Sequence, residues 1–341
     1  MAHAVGGTVS STAYNLVDGV AGPSANPGSG AVAGITIGND SAGTGPMTGL
    51  VGELAVFPGA VATATLQAVQ ANEKTYYSTN FVGPLDNYPA VTAAYSMRRL
   101  RGAYAGPAIN ILRASDSATT DIGFTTSGDL DVTTATTFCA STTCSIATWY
   151  DQGGSGLNLL QGTVALQPSL VLSSAAINGR PAALFSAAGP NRMNAAATVA
   201  QPLSVFAVAQ RTANFTTIQT LVGDNGSTNQ MFFGNTANSF QFLAGGSIKG
   251  LTSGVADATA HALGTIFNGA SSKQVIDQSI TSPGTAGAGG LVSSIQIGNA
   301  GGVTSNPLTG LVGEAIVSPS AWVDANSQAF QANEKVYYHT P

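Results

Sequence analysis

The groups able to do acid and base chemistry are few: the 341 residues hold sixteen carboxylates, and only four of these are glutamates, at 53, 73, 314 and 334. No glutamate lies between 81 and 313, so an acid and base pair inside that stretch has to be built from aspartates, with Asp151, Asp224 and Asp257 the candidates. Asp151 and Gln152 precede Gly153-Gly-Ser-Gly156, where their oxygens could line a sugar or calcium site; a Gly-rich turn after a strand accounts for the same residues. Trp149, Tyr150, Phe232, Phe233 and Phe240 could stack on sugar rings, although aromatics in strands are first of all core. Cys139 and Cys144 are five apart, which fits neither a CxxC redox pair nor a four-ligand zinc site. A bridge across this short loop, worth about 2 kcal/mol on the chain-entropy argument, is favoured over two free thiols and points to an oxidising setting. His261 has no partner that completes a catalytic triad and reads as a strand-edge or core residue. Arg98, Arg99, Arg101 and Arg113 could meet an acidic partner, but pairing with nearby Asp116, Asp121 and Asp129 is favoured. Neither a metal nor a cofactor is expected.

Composition limits the partners. Only 8% of residues are charged, the net charge is −5, and Gly contributes 42 residues. The largest basic cluster is Met97-Arg-Arg-Leu-Arg101, far short of the positive stripe a nucleic-acid binder carries, so no nucleic acid is expected. Apolar residues reach 44% but arrive in short runs, and none approaches the roughly 18 residues of a membrane span. The start, Met1-Ala-His-Ala-Val, has neither a charged leader nor an apolar stretch, so no signal peptide is read there.

The elements that must position these groups are announced by an internal repeat. Thr48-Gly-Leu-Val-Gly-Glu53 recurs as Thr309-Gly-Leu-Val-Gly-Glu314, and Gln70-Ala-Asn-Glu-Lys74 as Gln331-Ala-Asn-Glu-Lys335, both at an offset of 261 residues. Ala2-His3-Ala4 answers Ala260-His261-Ala262, and Ile37-Gly38-Asn39 answers Ile297-Gly298-Asn299. Residues 1–80 therefore read as a truncated copy of the C-terminal third of a complete domain at 81–341. Such a fragment has apolar faces and strand edges to cover, which it is expected to do against the complete domain or another subunit. Segments such as Leu203–Gln210, Gln230–Gly234, Phe240–Leu243, Ser294–Gly298 and Leu311–Val317 alternate and are bounded by turn residues, the pattern of an all-β two-sheet sandwich. One helix is expected from Asp324, as N-cap, to Tyr338, with a copy at Thr63 to Tyr77; a second is expected at Ala90 to Leu100. Glu314, in an alternating strand, reads as a structural residue, either solvated or an anchor for the helix that follows.

The run Ala93-Ala-Tyr-Ser-Met-Arg-Arg-Leu-Arg-Gly-Ala-Tyr-Ala-Gly-Pro-Ala-Ile109, then Asp121-Ile-Gly-Phe124, Phe138-Cys-Ala-Ser-Thr-Thr-Cys144, Trp149-Tyr-Asp-Gln-Gly-Gly-Ser-Gly156 and Asn178-Gly-Arg-Pro-Ala-Ala-Leu-Phe185 resembles the catalytic domain of α-L-arabinofuranosidase B. The resemblance covers nearly all of 81–341, and its wording is nearest to the form in bacteriophage tail and virion proteins. It implies a concanavalin/LamG-like jelly roll. It also implies where the two carboxyl groups of a retaining glycosidase would stand. The nucleophile's place is Asn229 and the acid's is Asn299, amides in both cases.

Two function classes follow. The amides favour a non-catalytic structural or interaction protein of a bacteriophage virion or an extracellular surface, with copies of itself, other virion proteins or cell-surface glycans as partners. The alternative is an α-L-arabinofuranosidase-type glycoside hydrolase. The candidate carbohydrate-binding residues are Trp149, Tyr150, Asp151, Gln152, Asn229 and Asn299.

Overall fold

A computed structural model describes residues 81–341 apart from 227, 246–247, 252–253, 286 and 302–305, and within 1–80 only 5–7, 15–17, 20–21, 54, 62, 65, 66, 68 and 69. The chain divides into two compact units, residues 1–80 and 81–341. In the first, β1 (Val5–Gly7), β2 (Asn15–Val17) and β3 (Val20–Ala21) pair antiparallel, and residues 65, 66, 68 and 69 are helical. The rest of the helix expected there lies outside the described residues, as do His3, Asn39, Glu53 and Glu73.

The second unit is an antiparallel β-sandwich. Its strands are β4 (Ala93–Ser96), β5 (Ile109–Arg113), β6 (Thr119–Ile122), β7 (Cys144–Trp149), β8 (Leu159–Leu160), β9 (Ser169–Ser174), β10 (Arg180–Phe185), β11 (Met193–Ala195) and β12 (Leu203–Arg211). They continue as β13 (Gln219–Gly223), β14 (Asn229–Phe233), β15 (Phe240–Ala244), β16 (Lys249–Leu251), β17 (His261–Phe267), β18 (Lys273–Ile276), β19 (Ser279–Thr281), β20 (Ile295–Ile297) and β21 (Gly310–Ser318). One layer runs β19-β18-β17-β12-β21; β4 and β10 then flank the two halves of β21, and β9, β7, β5 and β6 follow. The other runs β16-β15-β14-β13-β20-β11-β8 and joins the first on β7. Tyr95, Trp149, Phe185 and Val205 from the first layer meet Met193, Met231, Phe233 and Ile297 from the second in one core. Gly298, at φ +86°, ends β20 where an added Cβ would lie 2.2 Å from the Phe185 ring, so only glycine turns there.

The alternating segments are strands as expected, but β12 and β21 are buried on both faces. The reason is α2 (Asp324–Tyr338), which packs on the outside of the first layer. Its Phe330 clusters with Phe206, Ile316 and Trp322, and Tyr338 with Val208 and Leu311. Val323 is the residue before the helix and Asp324 its first turn, where the carboxylate suits the helix dipole and accepts from Lys273 Nζ at 2.5 Å. No helix forms at 90–100. Ala93–Ser96 instead pairs with Glu314–Val317 of β21, and this tertiary pairing overrides local propensity. A helix not expected from the sequence, α1 (Val132–Phe138), is rich in β-branched residues but is capped by Asp131, whose carboxylate accepts from Thr134 N at 3.0 Å. Cys139, at its end, is disulfide-bonded to Cys144 at the start of β7.

Strand β21, strand β4 and helix α2 meet at a buried ion pair. Glu314, fully buried, accepts from Arg98 Nε at 2.8 Å and Nη2 at 3.1 Å, and from Ser96 Oγ at 2.8 Å. Burial alone would lower the Arg98 pKa; the adjacent Glu314 carboxylate outweighs it and holds the guanidinium charged. Arg98 Nη1 donates to Asn333 Oδ1 at 2.6 Å, and its guanidinium lies over the Tyr337 ring. Thus Glu314 is the helix anchor. The arginines otherwise pair as Arg113 with Asp116 and Arg180 with Asp129, and Arg99 stacks on Phe81.

Truncating one partner leaves a bare buried charge, so Arg98→Met is expected to cost roughly 3–5 kcal/mol, with the Arg98→Met/Glu314→Gln double variant recovering much of it. Denaturant melts check this, and a single variant within error of the parent would refute it. Glu334 on α2 is buried with no hydrogen-bond partner among the described residues; burial, then repulsion from Glu314, holds its pKa well above the ordinary carboxylate range. The fold therefore binds a proton that the unfolded chain releases near pH 4–5, and stability falls as pH rises from there through the folded-state value. Glu334→Gln should flatten that fall and be more stable than the parent at neutral pH, read from Tm against pH; parallel curves would contradict the assignment.

Candidate functional site

The segment 149–152 follows β7, whose alternation turns Trp149 inward. The Trp149 ring is fully buried, 6.4 Å from Tyr95, and presents no face to a ligand. Tyr150 points the other way and donates to Asp121 Oδ1 at 2.9 Å; burial, then that contact, pushes its pKa up to about 12. Asp151 turns back into the chain. Its Oδ1 accepts from Ala94 N at 2.9 Å and Gly153 N at 2.7 Å, and its Oδ2 from Ser155 N at 3.0 Å and Leu157 N at 3.3 Å. Four backbone donors occupy the carboxylate, leaving no oxygen for a cation. Gln152 accepts from Leu100 N at 2.7 Å and donates to Ser96 O and Arg98 O at 3.0 Å each. Asp151 and Gln152 thus hold β4 and the Arg98 segment against β7. Phe233 and Phe240 lie in the core, and Phe232 is buried as well.

A second set of polar residues gathers where β13 turns into β14. Asp224 leaves β13 fully buried; its Oδ1 accepts from Thr228 N at 3.2 Å, and its Oδ2 from Asn229 Nδ2 at 2.7 Å and Val292 N at 3.3 Å. Asn229 Nδ2 also donates to Thr228 Oγ1 at 3.0 Å, while Asn229 Oδ1 is buried with no partner among the described residues. Just beyond β20, Asn299 Oδ1 accepts from Ala300 N at 2.7 Å, and Asn299 Nδ2 has no partner among the described residues. On the other face of β20, Gln296, paired across from Gly223, is joined by Nε2 to Asn225 Oδ1 at 3.5 Å; its Oε1 and Ser294 Oγ have no partner among the described residues. A Cβ on Gly289 would fall 2.0 Å from Asn229 Oδ1, so the backbone there lies directly over the amide. Gln201 holds this stretch, donating to Gly287 O at 3.0 Å and Gly289 O at 2.6 Å.

The structure therefore separates the expected site residues. Asn229 and Asn299 belong to the β13–β14 end, with Asp224; Trp149, Asp151 and Gln152 serve the frame. Of the other aspartate candidates, Asp257 is bound by Arg211 Nε at 2.8 Å. His261 sits in β17 with Nδ1 on Asp277 and Nε2 on Ala256 O, a buried strand residue. Gln296 and Ser294 were missed in sequence, although their alternation with Ile295 and Ile297 marks a second face of β20. Among the described residues no group of three His, Cys, Asp or Glu could hold a metal, and no helix is long and apolar enough to cross a membrane.

Part of the second unit is similar to known proteins. Residues 84–178 match the family model "Alpha-L-arabinofuranosidase B, catalytic". An α-L-arabinofuranosidase of Hypocrea jecorina is 43% identical over 84 residues, which is 23% of this chain and 17% of that protein. Arabinofuranosidase B of Penicillium canescens is 44% identical over 85 residues, 23% of this chain and 18% of the relative. The chain thus matches under a fifth of the length of these relatives. Among solved structures, a GH54 α-L-arabinofuranosidase soaked with a cyclic sulfate inhibitor superposes with a TM-score of 0.60 at 20% identity, covering 75% of this chain and 66% of that one. An arabinofuranosidase complexed with arabinofuranosyl-α-1,2-xylobiose gives a TM-score of 0.60 at 21% identity, covering 75% and 65%. At that identity the likeness is one of fold.

These matches correct the expectation of a non-catalytic virion component and the leaning against an enzyme, because the relatives and the neighbours in fold are arabinofuranosidases. That expectation rested on the amides Asn229 and Asn299 and on the absence of glutamate from 81–313, with Asp151, Asp224 and Asp257 the remaining candidates. Folding places the carboxylate of Asp224 2.7 Å from the Asn229 amide, so an amide at one position does not leave its neighbourhood without an acid.

Asp151→Asn should lower stability by roughly 1–3 kcal/mol, since an amide replaces one acceptor oxygen with a donor facing backbone N–H groups. A denaturation midpoint unmoved by the change would show that Asp151 is not the staple the geometry makes it.

Proposed function

We propose that this chain is a glycoside hydrolase of the α-L-arabinofuranosidase type, with its site at the β13–β14 end of the sandwich. The observation that carries the reading is a pair of buried polar atoms near Asp224 with no partner among the described residues, Asn229 Oδ1 and Asn299 Nδ2. Buried polar groups are nearly always hydrogen-bonded, and this pair of one acceptor and one donor suits the hydroxyls of a sugar. The ligand named for one neighbour in fold, arabinofuranosyl-α-1,2-xylobiose, supports arabinofuranosyl-substituted xylose chains as the substrate class.

In this reading Asp224 is the reacting carboxylate, oriented by Asn229 Nδ2. It takes a proton from water as the water oxygen bonds to the anomeric carbon; the glycosidic C–O bond breaks on the opposite face, and the departing oxygen leaves as its anion, which takes a proton from solvent. Asn299 holds the sugar, and the stretch from Gly287 to Val292, whose Val292 N donates to Asp224, moves aside to admit it. With no second carboxyl group to protonate the departing oxygen, cleavage depends steeply on the acidity of the departing group. The same reading takes the sandwich as a concanavalin/LamG-like jelly roll, residues 1–80 as a partial copy of its C-terminal third, and the working environment as extracellular, which the Cys139–Cys144 bridge supports.

Release of p-nitrophenol from p-nitrophenyl α-L-arabinofuranoside by the full chain tests the proposal. Turnover is expected, with Asp224→Asn lowering kcat by about 10²-fold or more and Asn299→Ala acting mainly on KM. No turnover by the parent overturns the function; turnover untouched by Asp224→Asn overturns the site.

A further inference from the structure

Away from the β13–β14 end, a cavity of about 430 Å³ opens between the chain entering the second unit and helix α2, walled by Phe81, Tyr88, Arg99, Asp129, Asn333 and Tyr337. Its charges are unequally spent. Arg98, at its back, is neutralised by Glu314. Asp129 accepts from Arg180 Nη1 at 2.9 Å and from Tyr337 OH at 2.7 Å, which leaves its charge shared. Arg99 is different: its guanidinium lies 4.0 Å from the Phe81 ring centroid and has no carboxylate partner among the described residues, and its Nε is buried with no acceptor. Asn333 spends its Oδ1 on Arg98 Nη1, so its NH₂ faces the cavity as a free donor among the described residues. The uncompensated charge is therefore positive and the unused polar atoms beside it are donors. The rings of Phe81 and Tyr88 supply apolar wall, while Tyr337 is covered by the Arg98 and Arg180 guanidinium groups, and the volume lies in the range of small-ligand pockets.

We infer that this cavity binds a carboxylate-bearing sugar unit, a hexuronate, with the carboxylate on the Arg99 guanidinium and the Asn333 amide, and the ring against Phe81. A fork of N–H donors matches a planar carboxylate, and aromatic faces suit the C–H side of a pyranose. Because the cavity is not part of the Asp224 site, it would be a second place of contact with an acidic polysaccharide, and it stands or falls separately from hydrolysis.

Calorimetric titration of the full chain with methyl α-D-glucuronoside, methyl α-D-glucoside, sodium acetate and inorganic phosphate tests it. Saturable one-site binding of the glucuronoside is expected, at least tenfold tighter than that of the glucoside or acetate. Arg99→Gln, at a partly buried position, should weaken it at least tenfold, Phe81→Leu should weaken it in the same direction, and Asp224→Asn should leave it unchanged. Near-UV circular dichroism verifies that each variant is folded; where Arg99→Gln is not, Arg99→Lys, which keeps the charge but not the fork, is expected to weaken binding instead. No glucuronoside binding, equal affinity for the glucoside, affinity for acetate or phosphate matching the glucuronoside, or indifference to the Arg99 change would each overturn the inference.

Discussion

The buried pair of Arg98 and Glu314 is the constraint on which the second unit is organised. A carboxylate in the middle of a strand buried on both faces is tolerable only if it is fully paired, and three elements contribute to that pairing: Ser96 and Arg98 from β4 and the residues after it, and Tyr338 from α2, whose hydroxyl lies 3.4 Å from Glu314 Oε2. Arg98 then reaches on to Asn333 of the same helix. The helix is thereby set against the outer face of the sandwich in one register, and Phe206, Val208 and Ile316 on that face are covered. Because Gln152 binds Ser96 O and Arg98 O while Asp151 binds Ala94 N, the loop after β7 is part of the same arrangement.

The same arrangement accounts for the most distinctive polar residues of the chain. Tyr150-Asp-Gln152 stands out in sequence because it holds together a strand edge, a core and an ion pair, and each of its buried polar atoms is used in doing so. The residues around Asp224 show the opposite condition. They are equally buried, but Asn229 Oδ1 and Asn299 Nδ2 have no partner among the described residues, and an unsatisfied buried group is costly unless a ligand offsets it.

Much was legible along the chain. Strands at Leu203–Arg211, Phe240–Ala244 and Gly310–Ser318, the terminal helix, the Cys139–Cys144 bridge and the structural part played by Glu314 all announce themselves through alternation, spacing or scarcity of charge. The segment 90–100 misled because its helical appearance is local, whereas its partner, β21, lies more than two hundred residues away. The site misled for a related reason: an aligned position reports only the residue that stands there, and Asn229 gains its acidic neighbour through a hairpin turn.

The sequence by itself determined the class of fold, a sandwich of short alternating strands closed by one helix, because a period of two and its bounding turn residues are properties of neighbours in the chain. Only the tertiary structure decided which polar residues are satisfied and which are left open, that Trp149 and Asp151 belong to the frame, and that Asp224, Asn229 and Asn299 belong to one end of it. Burial and hydrogen-bond completion depend on groups brought together from distant strands, and no spacing along the chain encodes them.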